Sequence, residues 1–416
     1  MSGPPSLHLF EAFGVELEYM LVDAGSLSVL PAADRVLAAA AGEVTGDVER
    51  GDVSWSNELA LHVIELKTSG PARSLKGLAA SFQDNVRQIN GLLGPLSGRL
   101  MPTAMHPWMD PFHEMRLWPH DYSPVYETFN RIFDCRGHGW ANLQSVHLNL
   151  PFANDKEFAR LHAAVRLLLP LLPALAASSP VIEGRPTGFL DSRMEVYRTN
   201  SARIPSITGL VIPEAVSSQA EYEEQILQRI YRDIAPHDPE GVLQHEWLNA
   251  RGAIARFDRN AIEIRVLDVQ ECPQADLAVC AAIVGVLHLL IERFLPQEDQ
   301  HKVTTEQLHG LLLETIRDAE EAVIAEPAYL QLLGIRGRSS CTAREIWGHL
   351  LTLLGGKSLF FQAEFFPAVR HILDKGPLAR RILRALGGDL SRRRIEGVYR
   401  ELCDCLKTGR MFEGNG

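Results

Sequence analysis

The sequence is poor in cysteine, which bears on the cellular compartment and on metal clusters. Its six cysteines are scattered over 416 residues and form no Cys-x-x-Cys pair. Cys403 and Cys405 are separated by one residue, a spacing that matches none of the common zinc motifs. Scattered cysteines of this kind are typical of reduced thiols, so we expect a cytoplasmic protein.

The sequence also lacks a long, uninterrupted apolar run. Its most apolar stretches, residues 167–177 and 277–291, are shorter than the roughly 18 residues that a membrane-spanning helix needs, and the first contains prolines. Residues 1–9 show no basic segment followed by an apolar run, so no signal peptide is expected. We therefore predict buried helices at both stretches and no membrane partner.

An excess of basic residues is absent too. The 41 lysines and arginines are outnumbered by 52 aspartates and glutamates, which gives a net charge of −11. Such an acidic surface argues against a nucleic acid as the main partner. It does not exclude a nucleotide, because a few arginines and metal ions are enough to hold phosphates. The length suits one large domain or two domains.

Alternating apolar and polar residues predict several strands in the first part of the chain. In segment 15–21, every second residue from Val15 to Leu21 is apolar, and Glu16 and Glu18 lie between them. The other predicted strands or extended segments are 53–61, 62–68, 101–106, 142–150 and 261–268. The predicted helices are 73–93, 155–177, 221–234 and 273–294. Residues 178–213 are expected to form irregular loops.

The pattern changes after residue 295, where a linker is expected at 296–300. The helical patterns that follow are 304–324, 341–354, 359–374, 378–386 and 391–408. We therefore predict a mixed α and β region at 1–295 and an all-helical region at 296–416. Several arginines of the second region are expected to form a solvated helix face rather than a nucleic-acid site. These are Arg380, Arg381, Arg384 and Arg392 to Arg394.

Charged side chains occupy strand positions where a core would need apolar ones. Glu16 and Glu18 are two residues apart, so both leave the same face of one strand, and the same spacing recurs at Glu263 and Arg265. With residues from other predicted strands, five carboxylates, one imidazole and one guanidinium could line one side of an antiparallel sheet. The full set is Glu16, Glu18, Glu58, Glu65, His147, Glu263 and Arg265.

Such a surface needs counter-charge, because like charges this close repel one another strongly. Divalent cations supply it, and oxygen ligands with one histidine favour Mg²⁺ or Mn²⁺. Ions of this kind clamp the phosphates of ATP, and Arg265 could hold the transferred phosphate. Each part alone also has a structural explanation: a solvated face for Glu16 and Glu18, a core position for His147, and a surface ion pair for Glu263 and Arg265.

Across residues 8–295, several separated motifs occur in the same order as in a known protein family. The sequence resembles the glutamate–cysteine ligase family, specifically its second bacterial branch of carboxylate–amine ligases, and more distantly glutamine synthetase. The motifs are Gly14-Val15-Glu16-Leu17-Glu18, Asn57-Glu58 with Glu65, His106-Pro107-Trp108, Gln144-Ser145-Val146-His147, Ala177-Ser178-Ser179-Pro180, Thr187-Gly188-Phe189 and Glu263-Ile264-Arg265-Val266-Leu267-Asp268.

The resemblance implies an α+β fold, a glutamine-synthetase-like curved antiparallel sheet with helices on its outer side, in a catalytic domain of residues 1–295. Arg265 would face the γ-phosphate of ATP, Arg193 would contact phosphate or substrate, and His106 would contact substrate. Arg198 and Arg203 would be either neighbours of Arg193 or solvent-facing residues. The implied metal ligands are Glu18, Glu58 and Glu65 for one ion, and Glu16, His147 and Glu263 for another.

The resemblance further implies an ATP- and Mg²⁺-dependent ligase, with Mn²⁺ as an alternative ion. It would join glutamate to cysteine or another small amine through an acyl phosphate, as in glutathione biosynthesis. The family often has Gly-Thr-His-Pro where this sequence has Ala104-Met105-His106-Pro107, which bears on amino-acid specificity. Three alternatives stay open: a different acid and amine, a nucleotide-binding regulatory protein without turnover, and an assembly protein whose helical region is the functional part. The helical region could be a lid, a homo-oligomer interface or a partner surface.

Overall fold

The fold is built around one antiparallel sheet of eight strands. A computed structural model describes residues 6–294, 302–355 and 363–415. The strands of this sheet are β1 (Gly14–Asp23), β2 (Asp47–Arg50), β3 (Val53–Asn57), β4 (Val63–Thr68), β5 (Gly98–Met101), β6 (Ser145–Pro151), β9 (Ala253–Arg256) and β10 (Ala261–Asp268), and a separate hairpin contains β7 (Val181–Ile182) and β8 (Arg185–Pro186). Their order is β2-β3-β4-β1-β6-β10-β9, and β5 pairs with the second half of β1.

Strand β1 lies in the middle of the sheet and has two chemically different faces. Its odd-numbered residues from Val15 to Leu21 are fully buried in the main hydrophobic core. Glu16 and Glu18 leave the opposite face, because successive side chains of a strand point to opposite sides. The alternation seen in the sequence therefore predicted this strand and both of its faces.

Helices cover the apolar face of the sheet. Those before residue 295 are α1 (Ala33–Ala41), α2 (Leu78–Leu93), α3 (Pro111–Glu114), α4 (Ser123–Phe133), α5 (His138–Ala141), α6 (Asp155–Leu168), α7 (Pro173–Ala176), α8 (Ser192–Tyr197), α9 (Gln219–Tyr222), α10 (Gln228–Ile234) and α11 (Pro273–Leu289). Helices α2, α6 and α11 contribute side chains to the same core as β1, and α11 packs against both of the others. This confirms the expected α+β layout, with helices on the outer side of an antiparallel sheet.

Helix α11 is an apolar core helix. With its π-helical continuation it spans Pro273–Arg293, longer than the apolar run read from the sequence and long enough by composition to cross a membrane. In the folded protein, 89% of its most apolar window is buried. A helix that is apolar on all sides is typical of a protein core, so the expectation of a buried helix is confirmed.

The helices after residue 295 belong to the same packed body. They are α12 (Thr305–Asp318), α13 (Pro327–Leu332), α14 (Ala343–Leu354), α15 (Phe366–Lys375), α16 (Leu378–Leu386) and α17 (Arg392–Thr408), and a small sheet pairs β11 (Val323–Ile324) with β12 (Cys341–Thr342). Helices α14 and α15 pack on α11. A domain division at residue 295 stays a prediction, and the linker expected at 296–300 lies outside the described residues.

The last two helices cover the second half of the even-numbered face of β1. Beyond Glu18, this face continues into Met20 and Val22, both fully buried in an apolar cluster with side chains of α16 and α17. Arg381 of α16, expected on a solvated face, is instead fully buried and paired with Glu271. Helical spacing alone could not reveal this acidic partner, which precedes α11 by two residues.

Most predicted elements are present with shifted ends. Helix α2 begins at Leu78 rather than at residue 73, and β3 ends at Asn57. Glu58 therefore lies in the turn between β3 and β4 rather than within a strand. Strand β9 and helices α1, α4 and α13 were not predicted, because their short apolar patterns are weak.

Candidate active site

A cavity of about 690 Å³ lies over the carboxylate face of the sheet. Strand register explains which charges meet there. Glu16 of β1 is directly opposite Lys67 of β4 and His147 of β6, and Glu18 is directly opposite Glu65. Directly opposed residues have Cβ atoms about 5 Å apart. The row Lys67, Glu16 and His147 and the pair Glu18 and Glu65 therefore place their charges within a small area.

Two sets of three side chains place possible ligand atoms close enough to hold a metal ion. Within each set, the atoms lie within 4.8 Å of one another, and Glu65 belongs to both sets. The sets are Glu18, Glu58 and Glu65, and Glu16, Glu65 and His147. The first set contains the three residues expected at one metal site, and the second contains Glu65 where Glu263 was expected.

Neighbouring groups orient these carboxylates. The hydroxyl of Ser56 donates a hydrogen bond to Oε1 of Glu65 at 2.7 Å. The backbone N–H of Ser145 donates to Oε2 of Glu18, also at 2.7 Å. Each bond fixes one oxygen of a carboxylate, which positions the other oxygen before any ligand arrives.

Burial and mutual repulsion raise the pKa values of two carboxyl groups. Burial is the main reason that the pKa of Glu65 rises to about 7, and the Glu16 carboxylate adds to the increase. Burial also raises the pKa of Glu58 well above its ordinary value, with further contributions from Glu18 and Glu65. A divalent cation would stabilise the charged form of both groups.

Glu16 and His147 form a close ion pair, with Nδ1 of His147 at 2.8 Å from Oε2 of Glu16. Burial opposes the charged form of each, but the pairing outweighs it. The pKa of Glu16 falls to about 2, and the pKa of His147 rises to about 9. His147 therefore carries a proton at neutral pH and must release it to bind a metal ion.

We expect protons to compete with metal ions at this site. Because the pKa values of Glu65 and His147 are about 7 and about 9, a bound ion displaces protons from both. Mn²⁺ titrations followed by electron paramagnetic resonance should show at least roughly tenfold tighter binding at about pH 8 than at about pH 6. Equal affinity at both pH values would contradict this competition.

The same raised pKa values predict how pH affects the stability of the metal-free protein. A group whose pKa is higher in the folded than in the unfolded protein stabilises the fold at low pH. This stabilisation is lost as the pH rises through the folded-state pKa. For Glu65 this loss occurs between about 4.5 and about 7. Mn²⁺ should therefore raise the melting temperature more at about pH 8 than at about pH 6.

Glu263 is 3% exposed and pairs with two arginines. Nη2 of Arg265 lies 2.9 Å from Oε1 of Glu263, and Nη1 of Arg256 lies 3.6 Å from Oε2. Burial lowers the pKa of Arg265, but the Glu263 carboxylate outweighs it and keeps that pKa above its ordinary value. Glu263 thus orients the Arg265 guanidinium at the cavity, and its assignment as a metal ligand stays a prediction.

Arg193 lines the cavity, but its guanidinium contacts β10 and Met194. Its Nη2 donates to the backbone oxygens of Arg265 at 2.7 Å and Leu267 at 3.1 Å, and its Nε lies 3.4 Å from Oδ1 of Asp268. The register of β10 on β6 shifts between Ile264 and Leu267. Arg193 therefore holds a β-bulge at Arg265, and bulges re-aim side chains. Its contact with phosphate or substrate stays a prediction.

His106, Arg198 and Arg203 are not among the cavity-lining residues of the described chain. His106 is fully buried, its Nε2 lies 2.8 Å from the backbone oxygen of Leu27, and burial lowers its pKa to about 3. Arg198 pairs with Glu195, and Arg203 donates to a backbone carbonyl. His106 therefore does not line this cavity, and its expected substrate contact stays a prediction.

Several cavity-lining residues were not predicted. Lys67 follows Glu65 by two residues, and Asn149 follows His147 by two, so the alternation of a strand could have identified both. Asn149 donates to Glu16 at 3.0 Å. Five aromatic side chains also line the cavity. Three of them, from α4, α5 and the 3-10 helix Glu246–Leu248, contact one another and were not predictable from strand patterns. This aromatic wall contains Phe129, Trp140 and Trp247.

The donor set fits Mg²⁺ or Mn²⁺. The two sets together offer four carboxylates and one imidazole, and hard oxygen ligands are those that both ions prefer. The raised pKa values of Glu58 and Glu65 indicate that additional positive charge would stabilise the ionised carboxylates of these two ligands. Among the described residues that line the cavity, none is a cysteine, which argues against a thiolate site.

Comparison with known proteins identifies the family. A family model described as glutamate–cysteine ligase family 2 matches residues 12–404. An uncharacterized protein of Archaeoglobus fulgidus is 32% identical over 400 residues, which cover 96% of this chain and 99% of the other. A Rubrobacter xylanophilus protein provisionally named glutamate–cysteine ligase 2-3 is 25% identical over 342 residues, which cover 77% of this chain and 82% of the other.

The fold also matches a solved structure. The crystal structure of glutamate–cysteine ligase from Francisella tularensis in complex with AMP superimposes with a TM-score of 0.57 at 13% identity, covering 96% of this chain and 92% of that one. This similarity confirms the glutamine-synthetase-like fold. From the family match over nearly the whole chain, the protein belongs to glutamate–cysteine ligase family 2 and is an ATP-dependent ligase that forms carbon–nitrogen bonds.

Proposed function

We propose that this ligase joins the γ-carboxylate of glutamate to the amino group of cysteine or of another small amine, with ATP and Mg²⁺, or Mn²⁺ in its place. One arrangement carries this function: two sets of metal ligands that share Glu65 face the same cavity as the guanidinium of Arg265. Carboxylate-bound divalent ions beside an arginine are what phosphoryl transfer from ATP requires.

The chemistry follows from the poor reactivity of a carboxylate, since direct attack by an amine would have to expel oxide. A carboxylate oxygen first attacks the γ-phosphorus of ATP, the bond to the bridging oxygen breaks, and ADP leaves with the electron pair. The amine nitrogen then attacks the acyl carbon of the resulting acyl phosphate. Inorganic phosphate leaves, and the nitrogen loses a proton to give the amide.

Different residues of the chain would hold the metal ions and bind the transferred phosphoryl group. The metal ions, when bound, neutralise the charge of the phosphates, and the residues that would hold them are Glu16, Glu18, Glu58, Glu65 and His147, with Glu263 as a further candidate. Arg265 binds the transferred phosphoryl group, because a guanidinium matches the geometry of phosphate oxygens. The reaction needs no thiol nucleophile, consistent with six buried cysteines.

The aromatic wall favours a second candidate pair of substrates. The three rings of this wall border a cavity of about 690 Å³. They offer more apolar surface than the side chain of cysteine can cover. An amine with a larger apolar group would bury more of this wall and gain affinity from it. The fold, the metal ligands and the acyl phosphate would be the same for this amine.

The surroundings proposed for the enzyme follow from its substrates. Small molecules are its partners, with no role for a nucleic acid or a membrane, and the cytoplasm supplies ATP, glutamate and reduced cysteine. A role in glutathione biosynthesis applies if cysteine is the preferred amine. A homo-oligomer is compatible with all of these points.

The direct test is phosphate release from ATP with Mg²⁺, measured with glutamate and a panel of amines that includes cysteine and larger apolar amines. We expect release that requires both an acid and an amine, and γ-glutamyl amide as the product by mass spectrometry. Preference for a larger amine would support the second pair. Tight ATP binding with no release for any pair would favour a regulatory protein instead.

A further inference from the structure

Lys67 is a cavity-lining cation beside the shared metal ligand. It lies on β4, two residues after Glu65 and on the same face of the strand. Its Nζ lies 3.3 Å from Oε1 of Glu65, 2.9 Å from the hydroxyl of Ser56 and 3.0 Å from Oδ2 of Asp47. Its side chain is 32% exposed, so it can reach a molecule in the cavity.

The position of Lys67 couples it to metal binding. Glu65 is the carboxylate that belongs to both ligand sets, and the ammonium group of Lys67 now neutralises part of its charge. A divalent ion at Glu65 would place two positive charges within a few ångströms of each other, and such charges repel strongly at a protein surface. Lys67 and the metal ion therefore compete for the same carboxylate.

Lys67 also stands opposite Arg265 across the site. Glu16 of β1 is directly opposite Lys67 on one side and His147 on the other. Arg265 belongs to β10, the strand beyond His147. The row therefore has a cationic side chain at each end, and both line the same cavity.

We propose that Lys67 is an anion-binding residue of this ligase that exchanges Glu65 for a substrate oxygen when the metal site fills. The ligand is an anionic oxygen, either of the transferred phosphoryl group or of the acid substrate. This role rests on the proposed function. An ordinary ion pair with Glu65 would give a different result, because its loss would not weaken the binding of an anionic ligand.

The test compares Lys67→Met with the wild-type protein in two binding measurements made without turnover. The first is Mn²⁺ affinity by electron paramagnetic resonance in the absence of nucleotide. We expect it to rise by about threefold to tenfold, because a competing charge is removed. The second is the affinity of the Mn²⁺-loaded protein for a non-hydrolysable ATP analogue and for glutamate, measured separately by calorimetry.

We expect Lys67→Met to weaken one of these two ligands by about tenfold or more, and the ligand affected identifies the source of the oxygen. Lys67→Arg should keep most of the anion affinity. Lys76→Met, which removes an exposed lysine outside the cavity lining, is the matched control and should change neither measurement. Opposite shifts in metal and anion affinity cannot arise from general unfolding of the variant.

The role of Lys67 would be overturned if Lys67→Met left the Mn²⁺ and anion affinities unchanged, or if both affinities changed in the same direction. The proposed ligase function would not be affected by either result. A wild-type protein that binds no Mn²⁺ would instead overturn the proposed function, and the role of Lys67 with it. Mn²⁺ binding by the wild-type protein therefore distinguishes a failure of the Lys67 role from a failure of the proposed function.

Discussion

Glu65→Gln should lower kcat/KM for ATP-dependent phosphate release by roughly a thousandfold or more. Glu65 is the carboxylate common to both sets of possible ligands, so one substitution removes a negative charge from each. Glutamine keeps the shape of the side chain and can still contact Ser56, so the fold should be retained. Steady-state kinetics and Mn²⁺ affinity, which we expect to fall by roughly a hundredfold, measure the effect.

Glu263→Gln provides a sharp comparison with Glu65→Gln. Glu263 pairs with Arg265 and Arg256, and in the described chain it lies outside both sets of ligand atoms. We expect its substitution to lower turnover by orders of magnitude through Arg265 but to change Mn²⁺ affinity less than Glu65→Gln does. Equal losses of Mn²⁺ affinity would instead establish Glu263 as a ligand.

A surface substitution controls for the change of charge. Glu49 lies on β2, is exposed and does not line the cavity. Glu49→Gln should leave both turnover and Mn²⁺ affinity close to those of the wild-type enzyme. Near-normal turnover of Glu65→Gln at ordinary Mg²⁺ concentrations would contradict the assignment of the shared ligand.

The largest expected loss of stability comes from Arg193→Ala, which should reduce the free energy of unfolding by about 3–5 kcal/mol. The Asp268 side chain is fully buried and would lose its cationic partner. The backbone oxygens of Arg265 and Leu267 would lose their shared donor, so the bulge of β10 would no longer be held. Urea unfolding followed by circular dichroism measures this change.

Arg198→Ala is the matched control for Arg193→Ala. Arg198 caps the same helix, α8, and its ion pair with Glu195 is partly exposed to solvent. Removal of such a pair should cost less than about 1 kcal/mol. If Arg193→Ala is no more destabilising than Arg198→Ala, Arg193 does not hold the bulge.

The conservative variant Arg193→Lys separates charge from geometry. A lysine keeps the charge beside Asp268 but cannot present the same planar set of donors to two carbonyl oxygens. We expect partial recovery of stability, together with turnover that stays low because Arg265 is misplaced. Full recovery of turnover by lysine would mean that only the charge matters at this position.

Strand periodicity predicted a large part of the site because it depends only on local geometry. Glu16 and Glu18 had to leave one face of β1 once every second residue between Val15 and Leu21 was apolar. The same rule applied to Lys67 and Asn149 would have placed both beside the predicted ligands. Neither residue carries a carboxylate or an imidazole, the groups that indicate a metal site in a sequence.

Other parts of the site depend on tertiary structure and had no local signal. The β-bulge at Arg265 is visible only when β10 is paired with β6, and the pair of Glu263 with Arg256 forms only when β9 lies beside β10. The aromatic wall combines side chains from three separate helical segments, and no single segment of the sequence shows that they meet. The burial of His106, a motif residue expected to contact substrate, likewise had no local signal.

The burial of Met20 and Val22 under α16 and α17 has a consequence for synthesis of the protein. These residues continue the face of β1 that carries Glu16 and Glu18, and they leave the ribosome long before the helices that cover them. The backbone of Phe412 completes the contact by bonding to the Arg381–Glu271 pair. A nascent chain therefore exposes an apolar strand face until synthesis passes this residue, so interrupted chains should be substrates for chaperones and proteases rather than smaller enzymes.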